Sequence, residues 1–190
     1  MSDDVRKRMV GLLPRLRRFS YALTGNLDEA DDLVQETCSR ALTNAAQWQT
    51  GTRLDSWMYR IAQNLWFDKL RSAKLRGETV NVDAEINLVS TDGRDVTESQ
   101  LTLQVVAKCI SKLPTEQQLV IAHVCVDGQS YKDAAEALGI PIGTVMSRLA
   151  RARQSLHAAM LAGGSVPQTL GPIPKVPVRN AGQIKHGGAP

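Results

Sequence analysis

Residues 130–157 read Ser-Tyr-Lys-Asp-Ala-Ala-Glu-Ala-Leu-Gly-Ile-Pro-Ile-Gly-Thr-Val-Met-Ser-Arg-Leu-Ala-Arg-Ala-Arg-Gln-Ser-Leu-His. Gly139 separates two stretches of helical spacing and can form a tight turn between them, while Ala135 is small enough for two helices to approach closely. Val145 and Leu149 are spaced to pack the second helix against the first. The stretch therefore predicts a helix–turn–helix whose final helix runs from about Thr144 to Leu161.

The second helix of this motif has a polar, basic face. Residues 144–160 contain three arginines and no acidic residue. Short polar groups near the start of a helix can reach base edges, and guanidinium groups bind guanine or phosphate. An ordinary helical hairpin with a solvated basic face is the alternative, but the acid-free face and the turn residues favour DNA binding. The polar residues on or beside this face are Thr144, Ser147, Arg148, Arg151 and Arg153.

Apolar residues recur at helical spacing in the rest of the chain as well. Phe19 and Leu23 end the stripe of a first amphipathic helix that begins near Leu12. A second helix follows the Gly25-Asn26 break and runs to about Gln47, and a third spans Leu54 to about Lys74. No segment alternates with a period of two, so we expect no sheet. The second-helix residues expected to point inward are Leu33, Val34, Thr37, Ala41 and Leu42.

Composition then divides the chain into four parts. Residues 77–97 are acidic with little periodicity and predict a flexible linker, whereas residues 163–190 are rich in glycine and proline and predict a disordered tail. In the second lobe, we expect a capping box from Thr115 and Gln118 and a helix cap at Ser130. The expected fold is all-α, with two small helical domains, residues 1–76 and 98–162, joined by the linker.

Composition also limits the class of protein. The 190 residues include 23 basic and 19 acidic side chains, a net charge of +4, and 43% of them are hydrophobic. No apolar stretch approaches the roughly 18 residues of a membrane span, and three scattered cysteines fit neither a disulfide framework nor a zinc site. We expect a soluble cytoplasmic protein without membrane insertion. No metal spacing, phosphate loop or nucleophile elbow is present, so we expect no catalytic residues, cofactor or small-molecule substrate.

The charge is arranged in alternating blocks. Residues 5–18 carry six bases and no acid, and residues 28–36 carry five acids and no base. Basic blocks favour a polyanion as partner, and acidic blocks favour a basic protein surface. Solvated helix faces remain an equally good explanation of any single block.

The third helix carries aromatic residues on two sides. Trp57 belongs to the inner apolar stripe and is expected in the core, whereas Tyr59 and Trp66 lie on the other side, interleaved with bases. Aromatics among bases suit stacking on unpaired nucleotides, and a core position in a three-helix lobe is the alternative for Trp66. Asp68 falls on the apolar stripe and is expected to pair with an arginine.

Three stretches in this order resemble bacterial sigma factors. They are Asp-Glu-Ala-Asp-Asp-Leu-Val-Gln-Glu-Thr (28–37), Ser-Trp-Met-Tyr-Arg-Ile-Ala-Gln-Asn-Leu-Trp-Phe-Asp-Lys-Leu-Arg (56–71) and Gly-Thr-Val-Met-Ser-Arg-Leu-Ala-Arg-Ala-Arg (143–153). The two-lobe layout is similar to the extracytoplasmic-function (ECF) group, or group IV, and the resemblance covers about residues 8–160. It implies sigma region 2 in residues 1–76, sigma region 4 in residues 98–162, and a subunit that directs core RNA polymerase to promoters.

The resemblance also implies roles for individual residues. The polymerase β′ clamp helices would dock on Asp31, Asp32, Leu33, Gln35 and Glu36, and the β flap would be a further polymerase contact. The −10 element, with one extruded base, would be captured through Arg53, Tyr59, Arg60, Asn64, Lys69 and Arg71. The −35 duplex would be read through Thr144, Ser147, Arg148, Arg151 and Arg153. An anti-sigma factor is the expected regulator.

Two positions depart from the family pattern, and two other functions compete. Gln63 replaces a basic residue that is frequent in the family. Met146 stands where some relatives carry an arginine that contacts DNA. A stand-alone helix–turn–helix regulator is one alternative, but it would need neither an acidic docking helix nor an aromatic–basic third helix. A sigma-like decoy that binds sigma regulators without polymerase is the other, although Arg60, Asn64 and Lys69 are all present.

Overall fold

The computed structural model describes residues 3–49, 51–76 and 98–161. These residues contain no strand, which confirms the all-α prediction. A 3₁₀ turn at Ala45–Gln47 follows the second helix, and a π-helical turn at Ala122–Val126 continues the fifth. The predicted linker, residues 77–97, and the predicted tail, residues 163–190, lie outside the described residues. The α-helices are α1 (Asp3–Thr24), α2 (Leu27–Thr43), α3 (Leu54–Leu75), α4 (Glu98–Ser111), α5 (Thr115–Ile121), α6 (Tyr131–Leu138) and α7 (Ile142–Leu161).

The first lobe packs α1, α2 and α3 around a common core. Asn26 caps α2, since its side-chain oxygen accepts hydrogen bonds from the backbone N–H groups of Asp28 (2.8 Å) and Glu29 (3.1 Å). Leu33, Thr37 and Ala41 are buried and Val34 is half-buried, as predicted. Leu42, in contrast, is 49% exposed, so that prediction was wrong. Leu42 comes nine residues after Leu33, which places it about 180° around the helix from that buried side chain.

The second lobe consists of α4 to α7 and contains the predicted helix–turn–helix. Ser130 caps α6 by accepting a hydrogen bond from the Asp133 N–H at 3.1 Å, and Gly139 ends α6 with a φ of +66°. The capping box at Thr115 was wrong because Pro114 is the N-cap residue of α5. Thr115 is therefore already inside the helix, and the side-chain amide of Gln118 donates to the Ser111 carbonyl oxygen instead.

The two lobes pack against each other through α1, which contacts both α4 and the π-helical turn. Phe19 of α1 and Tyr59 of α3 enclose His123 of the second lobe, with ring centroids 4.9 and 5.9 Å from the histidine ring. At Gly25, with a φ of +69°, the backbone comes so close to α4 that a Cβ built there would collide with Ser111 Oγ. A single core thus runs through both lobes.

Candidate nucleic-acid interface

Helix α7 presents the predicted polar face to solvent. Val145, Leu149 and Ala152 are at most 2% exposed and fix the helix on the second lobe. This burial leaves Ser147, Arg151 and Arg153 exposed and Thr144 half-buried. Ser147 donates its hydroxyl proton to the Thr144 carbonyl oxygen at 3.1 Å, which links these two residues at the start of the helix.

Arg148 differs from the other predicted DNA-binding residues. Its Nη2 lies 2.5 Å from Glu116 Oε2 of α5, and the two side chains are only 23% and 29% exposed. This partner is distant in sequence, so the helical pattern around Arg148 gave no signal of it. Arg148 consequently serves as an ion-pair partner of α5 in this arrangement, and a phosphate would have to replace Glu116.

Helix α3 places Tyr59 and Trp57 differently from their predicted roles. Tyr59 and Trp66 are 2% and 6% exposed and belong to the core, whereas Trp57, expected in the core, is only half-buried. The stacking role predicted for Tyr59 is therefore wrong for the described arrangement, whereas Trp66 takes the core position that was its alternative. The physical reason is that the second lobe covers the Tyr59 side of α3, a contact that a stripe analysis of one lobe cannot anticipate.

Trp57 lines an open cleft between α3 and the end of α2. The cleft has a volume of about 170 Å³, and its walls are formed by Arg40, Asn44, Gln47, Trp57, Ile61 and Asn64. Asn44 donates to the Arg40 carbonyl oxygen at 2.9 Å and accepts from Gln47 Nε2 at 3.2 Å, which orients the amides. Amide groups can both donate and accept hydrogen bonds, and an indole ring can stack on a base. Sequence analysis predicted Asn64 but missed the residues at the end of α2.

The other −10 candidates on α3 do not form one group. At 100° per residue, Arg60, Asn64 and Arg71 lie within about 60° of Trp57, whereas Tyr59 and Lys69 point to other sides of the helix. Arg60 is exposed, and Arg71 pairs with Asp68 at 2.9 Å. The predicted pairing of Asp68 with an arginine is confirmed. Trp57, Arg60, Asn64 and Arg71 thus share the face that contains the cleft.

Arg53 connects the first lobe with the helix–turn–helix. It pairs with Asp55 at 3.0 Å and, across the lobe boundary, with Asp133 of α6 at 2.9 Å. Hydrogen bonds to Asp55 and then to Asp133 raise the Arg53 pKa above its usual value. Burial raises the Asp55 pKa, but hydrogen bonds from Arg53 and from the Ser56 backbone N–H, together with the charges of Arg53 and Arg15, hold it below its usual value. A second cleft, about 350 Å³ in volume, lies beside Arg53 and is lined by Arg8, Leu12, Leu54 and Asp55.

A buried polar cluster holds the lobes together, and we call it the Asp127 cluster: Arg15, Tyr59, His123, Asp127 and Gln129. The Asp127 carboxylate, with a fully buried side chain, accepts hydrogen bonds from Arg15 Nε at 2.9 Å, from the Tyr59 hydroxyl and from Gln129 Nε2 at 2.9 Å. Burial, followed by these contacts with Asp127, raises the Tyr59 pKa. Burial lowers the pKa of His123 to about 4, and its Nδ1 lies 3.2 Å from Gln129 Oε1.

The acidic face predicted on α2 is partly engaged inside the first lobe. Asp31 accepts two hydrogen bonds from Arg17, at 2.6 and 2.8 Å, and Glu36 pairs with Arg40 at 3.1 Å. Asp32 and Gln35 are exposed. Leu33 is fully buried, so its side chain supports the core and is not available to a docking partner.

The described residues offer neither a membrane-spanning helix nor a metal site. No helix among residues 3–49, 51–76 and 98–161 is long and apolar enough to cross a membrane. Within the same ranges, no group of three or more histidine, cysteine or acidic side chains is placed to hold a metal ion.

A helix–turn–helix lobe packed beside a three-helix lobe with an acidic helix is typical of a bacterial sigma factor. The chain matches the family described as Sigma-70 region 2 over residues 10–76 and the family described as Sigma-70, region 4 over residues 103–156. The chain belongs to the ECF sigma factors of bacterial RNA polymerase.

Individual relatives agree with this assignment. The ECF RNA polymerase sigma factor EcfG of Rhodopseudomonas palustris is 34% identical over 165 residues, which cover 87% of this chain and 90% of EcfG. The ECF RNA polymerase sigma factor SigW of Bacillus subtilis is 30% identical over 155 residues, and the match covers 75% of this chain and 81% of SigW. The sigma factor RpoE of Bartonella quintana, solved in complex with the anti-sigma factor NepR, superposes with a TM-score of 0.69 at 28% identity, covering 84% and 98% of the two chains.

Proposed function

We propose that this protein is a group IV sigma factor that binds core RNA polymerase and directs it to its own set of promoters. In this proposal residues 1–76 are region 2, residues 98–162 are region 4, and residues 77–97 link them. The observation that carries the proposal is the presence, in one chain, of an exposed basic recognition helix and a polar cleft beside an aromatic side chain. A sigma factor needs both, because one binds duplex DNA and the other holds an unpaired base.

Region 4 reads the −35 duplex with the exposed face of α7. Ser147 and Arg151 occupy the centre of that face, with Thr144 and Arg153 beside it. The helix has no acidic residue, so phosphates approach it without repulsion. Arg148 contributes a phosphate contact only after it leaves Glu116.

Region 2 captures the −10 element in the cleft beside Trp57. Extruding a base from the stack costs a few kcal/mol, and stacking on an aromatic ring returns about 1–3 kcal/mol per base. Asn64, Asn44 and Gln47 supply the hydrogen bonds to the base edge, while Arg60 and Arg71 follow the phosphates on the same face. Tyr59, Arg53 and Lys69 lie away from this cleft, and Tyr59 and Arg53 act at the −10 element only once the lobes separate.

The polymerase binds the acidic face of α2. Asp32 and Gln35 are exposed there. Asp31 and Glu36 pair with the surface arginines Arg17 and Arg40, which the basic surface of the β′ clamp helices can replace. Region 4 is the part that meets the β flap. The protein acts in the cytoplasm, as a binding subunit without a catalytic site, cofactor or small-molecule substrate.

An anti-sigma factor controls this activity in our proposal. The support is the similarity to Bartonella quintana RpoE, whose structure was determined in complex with NepR. The partner would be an anti-sigma factor of that kind, bound to surfaces of both lobes.

Run-off transcription tests the proposed function. Purified core polymerase is given a promoter library with and without the full-length protein, and we expect new start sites that share two spaced motifs. Arg151→Ala should abolish these transcripts without loss of polymerase binding, and Arg18→Ala, which removes an exposed arginine of α1, should not. Polymerase binding without new transcripts would favour the decoy, and specific duplex binding without polymerase binding would favour the stand-alone regulator.

A further inference from the structure

The recognition helix has an apolar edge that its basic residues do not explain. Ile142 and Met146 are 49% and 52% exposed, and Ala150 is also exposed. The three residues are spaced four apart, so they form one continuous strip along α7 that covers about 80° of its circumference. These three residues lie outside the buried side of the helix, which is centred on Val145 and Leu149.

The strip lies beside the DNA-binding face and not behind it. By helical angle, Ala150 lies about 60° from Ser147, in the centre of the polar face, and Met146 lies about 20° from Arg153. Arg151 lies about 40° from Ser147 on the side of the face away from Ala150. A duplex bound to the polar centre and to the arginines therefore also meets the apolar strip.

We propose that this strip reads the C5-methyl groups of thymines in the −35 element, with Met146 as the principal specificity determinant. The proposal rests on the proposed function of α7. In the major groove of DNA, the thymine methyl is the apolar group on the base edges, and apolar side chains are its usual contacts. The absence of any acid from α7 favours DNA over a protein partner as the occupant. The flexible thioether of Met146 also adapts to such a contact more easily than a branched side chain.

Deoxyuridine substitution is the test, since it removes only the methyl group. Holoenzyme is assembled from core polymerase and the full-length protein, and its affinity is measured for the promoter found by run-off transcription. Each −35 thymidine, on either strand, is replaced singly by deoxyuridine. We expect at least one replacement to weaken binding about fourfold, which equals ~0.8 kcal/mol and matches the burial of one methyl group.

A double-mutant cycle identifies the residue that reads the methyl. Met146→Ala should weaken binding to the thymidine promoter by a similar factor and should no longer distinguish thymidine from deoxyuridine. Met160→Ala is the matched control, because Met160 is a 54% exposed methionine on the same helix, 14 residues or about 21 Å along the axis from Met146. It should behave like the wild type throughout.

Several results would overturn the inference. They are a −35 element without thymine on either strand, a wild-type protein indifferent to every deoxyuridine, and a Met146→Ala variant that keeps the full methyl effect. Loss of anti-sigma binding by Met146→Ala with unchanged DNA binding would assign the strip to a protein partner. Failure of the proposed function looks different, because no promoter would be selected in the first place.

Discussion

The Asp127 cluster provides the most quantitative prediction about this protein. Asp127→Asn keeps the size of the side chain but removes its charge and turns one acceptor oxygen into a donor amide. Hydrogen bonds to a charged group contribute about 1.5–3 kcal/mol each. The bond from the buried Tyr59 should therefore lose about 2 kcal/mol. The bond from Arg15, whose side chain is 37% exposed, should lose only about 1 kcal/mol because water screens it.

The combined loss of about 3 kcal/mol corresponds to an increase of about 100-fold in the fraction of molecules with separated lobes. Tyr59→Phe, which removes one hydroxyl and keeps the ring, should give a smaller increase in the same direction. Asp68→Asn is the matched control, because Asp68 also pairs with an arginine but is exposed and lies outside the lobe boundary. It should leave the separated fraction unchanged.

Amide hydrogen exchange measures this change directly. Protection of the π-helical turn at Ala122–Val126 should fall by about 100-fold in Asp127→Asn, while α7, which packs within the second lobe, should keep its protection. Equal loss of protection in α7 would mean that the second lobe itself unfolds. Unchanged protection at Ala122–Val126 would refute the reasoning that Asp127 holds the lobes together.

Three further predictions follow from the same structure. Burial lowers the His123 pKa from 6.5 to about 4, so the folded state favours the neutral histidine. The free energy of unfolding should therefore be highest above pH 6.5 and should fall by about 3 kcal/mol as the pH drops toward 4. Denaturant titrations that show the same pH dependence of this free energy for the wild type and for His123→Phe would contradict this. Trp57→Ala should weaken binding of a single-stranded −10 oligonucleotide by about 1–3 kcal/mol, whereas unchanged binding would show that Trp57 does not stack on the base. Asp32→Arg should abolish binding to core polymerase in pull-down assays without changing the circular dichroism spectrum, and retained binding would remove α2 as the docking face.

Sequence analysis located the elements of the fold because their signals are local. The Ser130 cap and the Gly139 turn follow from side chains and backbone freedom within a few residues, and both are present. The stripe of Val145 and Leu149 identified the buried side of α7 for the same reason. The sequence-based predictions were wrong where a neighbouring residue decides the outcome. Pro114, for example, is the N-cap residue of α5, a position that was expected for Thr115.

The candidate site was predicted only in part because its geometry depends on contacts between distant segments. The carboxyl partner of Arg148 lies in α5, and the group that buries the Tyr59 hydroxyl lies in the second lobe. A helical stripe shows which residues share a face, but it does not show which other helix covers that face. For this reason Tyr59 and Trp57 exchanged their expected positions, one in the core and the other in the cleft.

The contact between the lobes leaves the two proposed DNA-binding surfaces accessible. The cleft beside Trp57 opens to solvent with exposed Arg40 at its rim, and Arg151 of α7 is also exposed, although the Asp127 cluster is closed. The contact between the lobes therefore limits the distance between the cleft and the exposed face of α7, but it does not block access to either surface. The 21 residues from 77 to 97 can span at most about 70 Å when fully extended. Loss of the Asp127 hydrogen bonds would therefore allow the two lobes to separate and to bind promoter elements that lie further apart. Asp127 therefore helps to determine how far apart the two promoter elements can be bound.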